Sequence, residues 1–110
     1  MVKIYIKRNK EKEIIEFTVL GHANTDEYGK DIVCAAVSVL SQTIILGLYD
    51  VIKIQVPYEI DEGYLTCKIP TNLTQRQRED INILLDTMFM GIKSIKESYD
   101  EYIDIHDKEV

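Results

Sequence analysis

The sequence has few cysteines, few glycines and few positive charges, and each shortage excludes a class of protein. Its two cysteines are too few for a disulfide-stabilised secreted scaffold, so we expect two reduced thiols. Its five glycines form no Gly-rich loop of the kind that binds phosphate. Thirteen Lys and Arg against nineteen Asp and Glu give a net charge of −6, which argues against direct binding of nucleic acid.

Segments that would direct the chain to a membrane are also missing. The N-terminus alternates like a strand and lacks the basic and apolar regions of a signal peptide. The longest uncharged apolar run lies between Asp31 and Asp50, and Ser38 and residues 41–43 interrupt it. We therefore expect a cytoplasmic protein that does not enter a membrane. Its acidity either suits a basic polypeptide partner or simply maintains solubility.

Length and patterning predict one α+β domain over residues 1–110. With 45% hydrophobic and 29% charged residues, the composition is typical of a globular protein. The apolar periodicities predict an order of β-β-α-β-β-α, in which the strands pair as hairpins in a mainly antiparallel sheet of four or five strands. The strands are predicted at residues 2–7, 15–19, 52–58 and 64–69, and the helices at 32–49 and from Thr74 onward. Tyr102, Ile103 and Ile105 are candidates for a short last strand before a frayed tail.

The loop over residues 21–30 is long and polar, which is often a mark of function in a compact domain. It carries His22, whose imidazole titrates near neutral pH. Gly21 and Gly29 are interpreted either as hinges of this loop or as ordinary turn residues.

A helix beginning directly after this loop would place a thiol close to His22. Asp31 has the short acceptor side chain that an N-cap requires, so Cys34 is expected in the first helical turn. A thiolate there is stabilised by the helix dipole, and the unpaired N–H groups of the first turn can hold an oxyanion. The segment therefore predicts a Cys–His dyad.

Each of these residues also has a purely structural interpretation. Cys34 lies among Ala and Val and could simply pack in the core. Asp31 could orient His22 as the third member of a triad, but we prefer the capping role. Ser38, one turn after Cys34, could donate to substrate or to the imidazole, or could make a helix–helix contact.

The second cysteine and the second histidine are not expected in the site. Cys67 shares a strand face with Leu65 and Ile69 and is interpreted as a core residue, and His106 is expected to be exposed in the tail. A zinc site built from both cysteines and both histidines is set aside, because no two of them have the spacing of zinc ligands. We expect neither a metal nor a cofactor.

The first predicted helix is apolar on nearly every side, so more than one surface must cover it. Val33, Val37 and Ile44 lie on one face, whereas Val39 and Leu46 lie on others. The second cover is either another subunit or the domain's own second helix. We predict a homodimer with this helix at or near the interface.

The residues around Cys34 resemble those of the ribosomal-processing cysteine protease family, Prp. The resemblance is carried by Gly21-His22-Ala23, Tyr28-Gly29, Asp31-Ile32-Val33-Cys34-Ala35-Ala36 and Ser38. It implies a dimeric, two-layer fold with two helices on the sheet, and a histidine loop that closes on substrate. It also implies an endopeptidase that removes the N-terminal extension of large-subunit ribosomal protein twenty-seven after an aromatic residue, with Cys34 as nucleophile and His22 as general base.

Two other functional classes remain open at this point. One is a non-catalytic, dimeric acidic module that binds a basic ribosomal protein, with Cys34 buried. The other is a redox or acyl-transfer thiol enzyme, which is less favoured because a CxxC partner for Cys34 is absent.

Overall fold

The computed structural model describes residues 1–21 and 28–110, with the backbone alone at residues 28–31. Two helices pack on a five-stranded mixed sheet, so the predicted α+β fold is confirmed. The elements are β1 Val2–Arg8, β2 Ile14–Leu20, α1 Tyr28–Leu46, a π-helical turn Gly47–Ile52, β3 Tyr58–Asp61, β4 Tyr64–Lys68, α2 Gln75–Ser98, a 3-10 turn Asp100–Tyr102 and β5 Ile103–Glu109. The strand order across the sheet is β3-β4-β2-β1-β5.

The first two strands form the predicted antiparallel hairpin. Alternate residues of β1 from Val2 to Ile6 are buried against the helices, as their spacing predicts. A bulge at the end of β1 pairs Arg8 with Ile14 and leaves Ile15 out of the ladder. Ile14 is therefore the buried residue at this end of β2, although the alternation predicted Ile15.

Helix α1 begins at Tyr28, earlier than the sequence predicts. Asp31 lies inside the helix, so the prediction that it is the N-cap is wrong. The apolar periodicity starts only at Ile32, and Gly29 is a poor helix former, so the sequence pattern gives no signal for the first turn. Residues 28–30, which the sequence assigned to the loop, therefore belong to α1.

Helix α1 is buried on one side only. Val33, Val37 and Leu48 of the helix and its π-helical turn are fully buried, whereas Val39 and Leu46 are 66% and 59% exposed. By length and composition alone, Ile32–Ile52 could also cross a membrane, a property shared by core helices. Here its inner side packs on the sheet and on α2, where Leu40 lies against Gly91, and its outer side leaves an apolar surface uncovered within the described chain.

The predicted strand at residues 52–58 is mostly wrong. Ile52 ends the π-helical turn, and Lys53 follows in the left-handed region with a φ of 65°. Ile54 and Val56 are buried in a connection that belongs to no strand, which explains the alternation in the sequence. The strand itself begins only at Tyr58 and turns back into β4.

The second helix begins as predicted. The Thr74 hydroxyl accepts a hydrogen bond from the Gln77 N–H at 3.1 Å, and the Gln77 side chain accepts one from the Thr74 N–H at 2.9 Å. The predicted apolar stripe faces the core, with its fully buried members being Ile81, Leu85, Met88 and Ile92.

The last strand is longer than predicted and the tail is not frayed. Strand β5 runs parallel to β1 along its whole length, and the Val110 N–H donates to the Arg8 carbonyl at 2.8 Å. His106, expected to be exposed, is half-buried and stacks on Tyr5 with ring centroids 4.8 Å apart. Strand β5 is at the edge of the sheet, and one face of the sheet there is exposed to solvent. Charged residues are tolerated at such a position, so the sequence shows little hydrophobic alternation over β5.

A polar cluster joins the first hairpin to α2. The Glu13 carboxylate accepts hydrogen bonds from Asn82 at 2.8 Å and from Asn9 at 2.9 Å, and Arg78 lies 3.4 Å away. The hydrogen bond from Asn82, the one from Asn9 and the charge of Arg78 lower the pKa of Glu13 below its ordinary value of 4.5. Arg78 also donates to the Ile14 carbonyl at 2.6 Å, which anchors α2 to β2.

We predict that Glu13→Gln lowers the free energy of unfolding by about 1 kcal/mol at pH 7, because hydrogen bonds to the ionised carboxylate are lost. A carboxyl whose pKa is lower in the folded protein stabilises the fold at pH values above its pKa in the unfolded chain. This stabilisation is lost as the pH falls through the pKa of the folded protein. Urea unfolding at pH 7 and at about pH 3 measures the difference between the two proteins. An equal difference at both pH values would show that the charge of Glu13 contributes nothing.

Candidate active site

Cys34 lies about two turns inside α1 and not in its first turn, so the predicted position is wrong. Only the first four N–H groups of a helix lack partners within it, and the effect of the dipole declines within the first turn. Stabilisation of a thiolate or an oxyanion by the end of α1 therefore does not apply to Cys34. A nucleophilic thiol at this position would need side chains or backbone groups outside the helix to activate it.

The half-buried Cys34 side chain opens onto a cleft of about 310 Å³ between α1 and the sheet. Helix α1 forms one wall, and the hairpin of β3 and β4 forms the wall opposite. The cleft is lined by Cys34, Ala35, Ser38, Ser41 and Gln42 of α1, by Val2, Val19 and Gly21, and by Ile60, Asp61, Gly63, Tyr64 and Leu65. Buried aliphatic side chains with a few polar groups are typical of a site that takes part of a larger molecule.

Gly21 lies directly against the Cys34 sulfur. A Cβ atom added at Gly21 would lie 3.3 Å from Sγ of Cys34 and 3.5 Å from Cγ2 of Val2. The Gly21 N–H also donates to the Gly63 carbonyl at 2.9 Å, which joins the end of β2 to the turn between β3 and β4. Gly21 is thus a close neighbour of the thiol, a role that the sequence did not predict.

The structure brings together only some of the predicted site residues. Ser38 is exposed in the cleft one helical turn after Cys34, and its contact with substrate or imidazole stays a prediction. Gly29 is inside α1, so its predicted role as a loop hinge or turn residue is wrong. His22 and the side chain of Asp31 lie outside the described residues, so the contact of His22 with Cys34 and the orienting role of Asp31 stay predictions.

The residues that we assigned to other regions lie apart from the cleft. Cys67 is fully buried in the core, as predicted, and burial raises its pKa to about 12. His106 is on the outer face of the sheet, where it bonds to Asp104 at 2.9 Å. Among the side chains that the structure describes, those of residues 1–21 and 32–110, no three His, Cys, Asp or Glu converge on a point that could hold a metal ion.

Several cleft residues were missed by the sequence analysis. Ser41 and Gln42 lie seven and eight residues after Cys34, so helical spacing alone could have placed them on its face. Asp61, Gly63 and Tyr64 come from a distant hairpin and reach the cleft only through the sheet pairing. No local pattern in the sequence marks this second group.

Comparisons with known proteins agree on one family. Residues 1–104 match the family described as Cysteine protease Prp. The ribosomal processing cysteine protease Prp of Bacillus subtilis is 28% identical over 105 residues, 90% of each chain. That of Staphylococcus aureus is 30% identical over 112 residues, which cover 98% of this chain and 100% of the relative. A crystal structure of the S. aureus protease with a substrate peptide has the same fold, with a TM-score of 0.85 and 24% identity over 98% of this chain and 100% of that one.

We predict that iodoacetamide modifies the native protein once, at Cys34. The thiol of Cys67 is buried and its raised pKa keeps it protonated. At pH 9 it should therefore react at least about a hundredfold more slowly than the thiol of Cys34. Mass spectrometry should show one added group on the folded protein and two after denaturation. Cys67→Ala should leave native labelling unchanged and Cys34→Ala should abolish it, whereas labelling of Cys67 in the folded protein would contradict the assignment.

We also predict that Gly21→Ala slows the labelling of Cys34 severalfold, because the new methyl group would cover one side of the sulfur. Gly47→Ala is the matched control: its added Cβ would also approach a side chain at 3.3 Å, but that atom belongs to Leu84, outside the cleft. Stopped-flow measurement of thiol alkylation compares the variants. Equal rates for both would show that Gly21 does not restrict access to the thiol.

Proposed function

Because the chain belongs to the Prp family of ribosomal processing cysteine proteases, we propose that it removes the N-terminal extension of large-subunit ribosomal protein twenty-seven, with Cys34 and His22 as its catalytic dyad. The observation that carries this proposal is the Cys34 thiol at the wall of a cleft, in a chain that aligns along nearly its whole length with a protease. The substrate peptide held by the S. aureus protease supports a peptide ligand for this cleft.

The proposed reaction has two stages. The Cys34 thiolate attacks the scissile carbonyl carbon, a C–S bond forms, and the carbonyl electron pair moves to oxygen. When that pair returns, the C–N bond breaks and protonated His22 gives its proton to the leaving amine. Water then attacks the thioester while His22 takes one of its protons, and the C–S bond breaks to release the acid product and the thiolate.

Chain connectivity supports His22 as the base. His22 is bonded to Gly21, and the site of an added Cβ on Gly21 is 3.3 Å from the Cys34 sulfur. Consecutive Cα atoms are about 3.8 Å apart, so chain connectivity limits how far the residue after Gly21 can be from the thiol. We propose that the His22 imidazole is the base that activates Cys34, a role that does not depend on the end of α1.

Ser38 is proposed to contact the bound substrate. Its exposed hydroxyl lies in the cleft one turn beyond Cys34 and can donate a hydrogen bond to a peptide carbonyl or to the imidazole. The N–H of Cys34 lies well inside α1, where backbone N–H groups are bonded within the helix. We therefore propose that side-chain donors such as the Ser38 hydroxyl hold the oxyanion, a role first expected of the start of α1.

We further propose that the protein acts in the cytoplasm as a homodimer. The support is an exposed apolar surface on the two helices, defined by Ala35, Val39, Leu46 and Met90. Apolar side chains exposed to this extent on neighbouring helices favour association in water.

Incubation with the full-length ribosomal protein, followed by mass spectrometry, tests the proposed activity. The parent protein should release the N-terminal extension, and Cys34→Ala, Cys34→Ser and His22→Ala should each be slower by at least about a thousandfold. Cys67→Ala is the control and should cut normally. Equal binding by all four variants without any cleavage would favour a non-catalytic acidic module.

Light scattering during gel filtration tests the dimer. The parent should have twice the 12.7 kDa mass of one chain, and Val39→Glu should shift it toward 12.7 kDa, since a charge in an apolar interface is costly. Gln55→Glu places the same charge on an exposed residue outside that surface and should leave the mass unchanged. A parent protein that runs at the mass of one chain would rule out a stable dimer.

A further inference from the structure

The geometry points to β3 as the strand on which the substrate is held: we propose that an extended segment of the substrate pairs with the outer edge of β3 as an added strand. This inference rests on the proposed function and deepens it. It assigns the pairing of the substrate main chain to the backbone of Tyr58 and Ile60, beside the cleft in which Cys34 meets the scissile bond.

The position of β3 is the first observation. Strand β3 is at one edge of the sheet, and no other strand of the described chain pairs with its outer side. Ile60 and Asp61 of this strand line the cleft together with Cys34. The opposite edge strand, β5, contributes no lining residue among those described, so only one sheet edge adjoins the thiol.

The register of the hairpin shows which backbone groups face outward. A two-residue turn joins Asp61 to Tyr64, and these directly opposed residues form the hydrogen-bonded pair that closes it. Hydrogen-bonded pairs recur at every second residue, so Glu59 also directs its N–H and carbonyl toward β4. The Pro57 carbonyl fits this alternation, because it accepts from the Lys68 N–H at 3.0 Å.

The intervening residues, Tyr58 and Ile60, therefore direct their N–H and carbonyl groups away from β4. Both residues are exposed, at 49% and 45%. They are two apart, which is the spacing at which an extended peptide presents its own alternate N–H and carbonyl groups. A substrate strand here would lie about 4.8 Å from β3, alongside Ile60, which lines the cleft.

The chemistry of this edge suits a processing site on a basic polypeptide. Main-chain pairing accepts any extended segment, and side-chain pockets beside it then select the sequence. The side chains of Glu59 and Asp61 are exposed on either side of Ile60 in the strand. Their carboxylates favour a positively charged chain and speed its encounter with the edge.

N-methylation of single amides in the substrate tests strand pairing without altering the enzyme fold. The probe is a fluorescent peptide spanning the extension and the first mature residues of large-subunit ribosomal protein twenty-seven, bound to Cys34→Ala so that no cleavage occurs. Each methyl group removes one N–H donor, and losing a hydrogen bond should weaken binding by about three- to tenfold. The expected result is sensitivity at two positions two residues apart, with little change at the position between them.

A pair of enzyme variants tests the same contact from the other side. Ile60→Pro removes the outward N–H, which the pairing with β4 does not use, whereas Ile60→Ala removes most of the side chain and keeps the N–H. KM should rise more for Ile60→Pro than for Ile60→Ala. The labelling rate of Cys34 should be equal in the two, which shows that the thiol and its surroundings are intact.

The outcomes separate this inference from the activity on which it rests. Cleavage by the parent protein with no alternation in the N-methyl series would overturn strand pairing and leave the protease assignment standing. Failure of the peptide to bind would also overturn it. Alternating sensitivity in binding without cleavage by the parent would support the edge as a peptide site and contradict the proposed activity.

Discussion

The hydrogen bond of 2.9 Å from the Gly21 N–H to the Gly63 carbonyl holds the cleft in shape. It joins the last residue before His22 to the turn of the hairpin that forms the far wall. Because the Cys34 sulfur packs against the same glycine, the thiol, the end of β2 and the β3–β4 turn are positioned together. Two glycines, Gly21 and Gly63, are thus at the centre of the site. A larger residue at position 21 would occupy the space that the sulfur needs.

Local patterns in the sequence predicted the elements whose side chains repeat regularly. The first hairpin, the stripe of α2 and the capping box at Thr74 all follow from such repeats, and the structure confirms them. The patterns failed where burial is regular without pairing, as at Ile54 and Val56, which alternate in a connection outside any strand. They indicated only the start of β5, because charged residues at this sheet edge conceal the rest of the strand.

The site was predictable only in part, for related reasons. The motif around Cys34 is local, so the sequence alone could place the thiol and Ser38 one helical turn apart in α1. The start of α1 could not, because Gly29 and the polar residues beside it carry no helical periodicity. The far wall depends on the pairing of β2 with β4, a contact between residues about fifty positions apart in the chain, as in Thr18 with Thr66.

The parallel pairing of β1 with β5 has a consequence for how the molecule is made. Val2 lies opposite Ile103, about a hundred residues further along the chain, so β1 becomes an interior strand only when β5 has paired with it. Val2 also lines the cleft, so one residue of the cleft belongs to a strand that depends on this distant pairing. Contacts between residues so far apart in sequence slow folding, so we expect the docking of β5 on β1 to be a late step in completing the sheet.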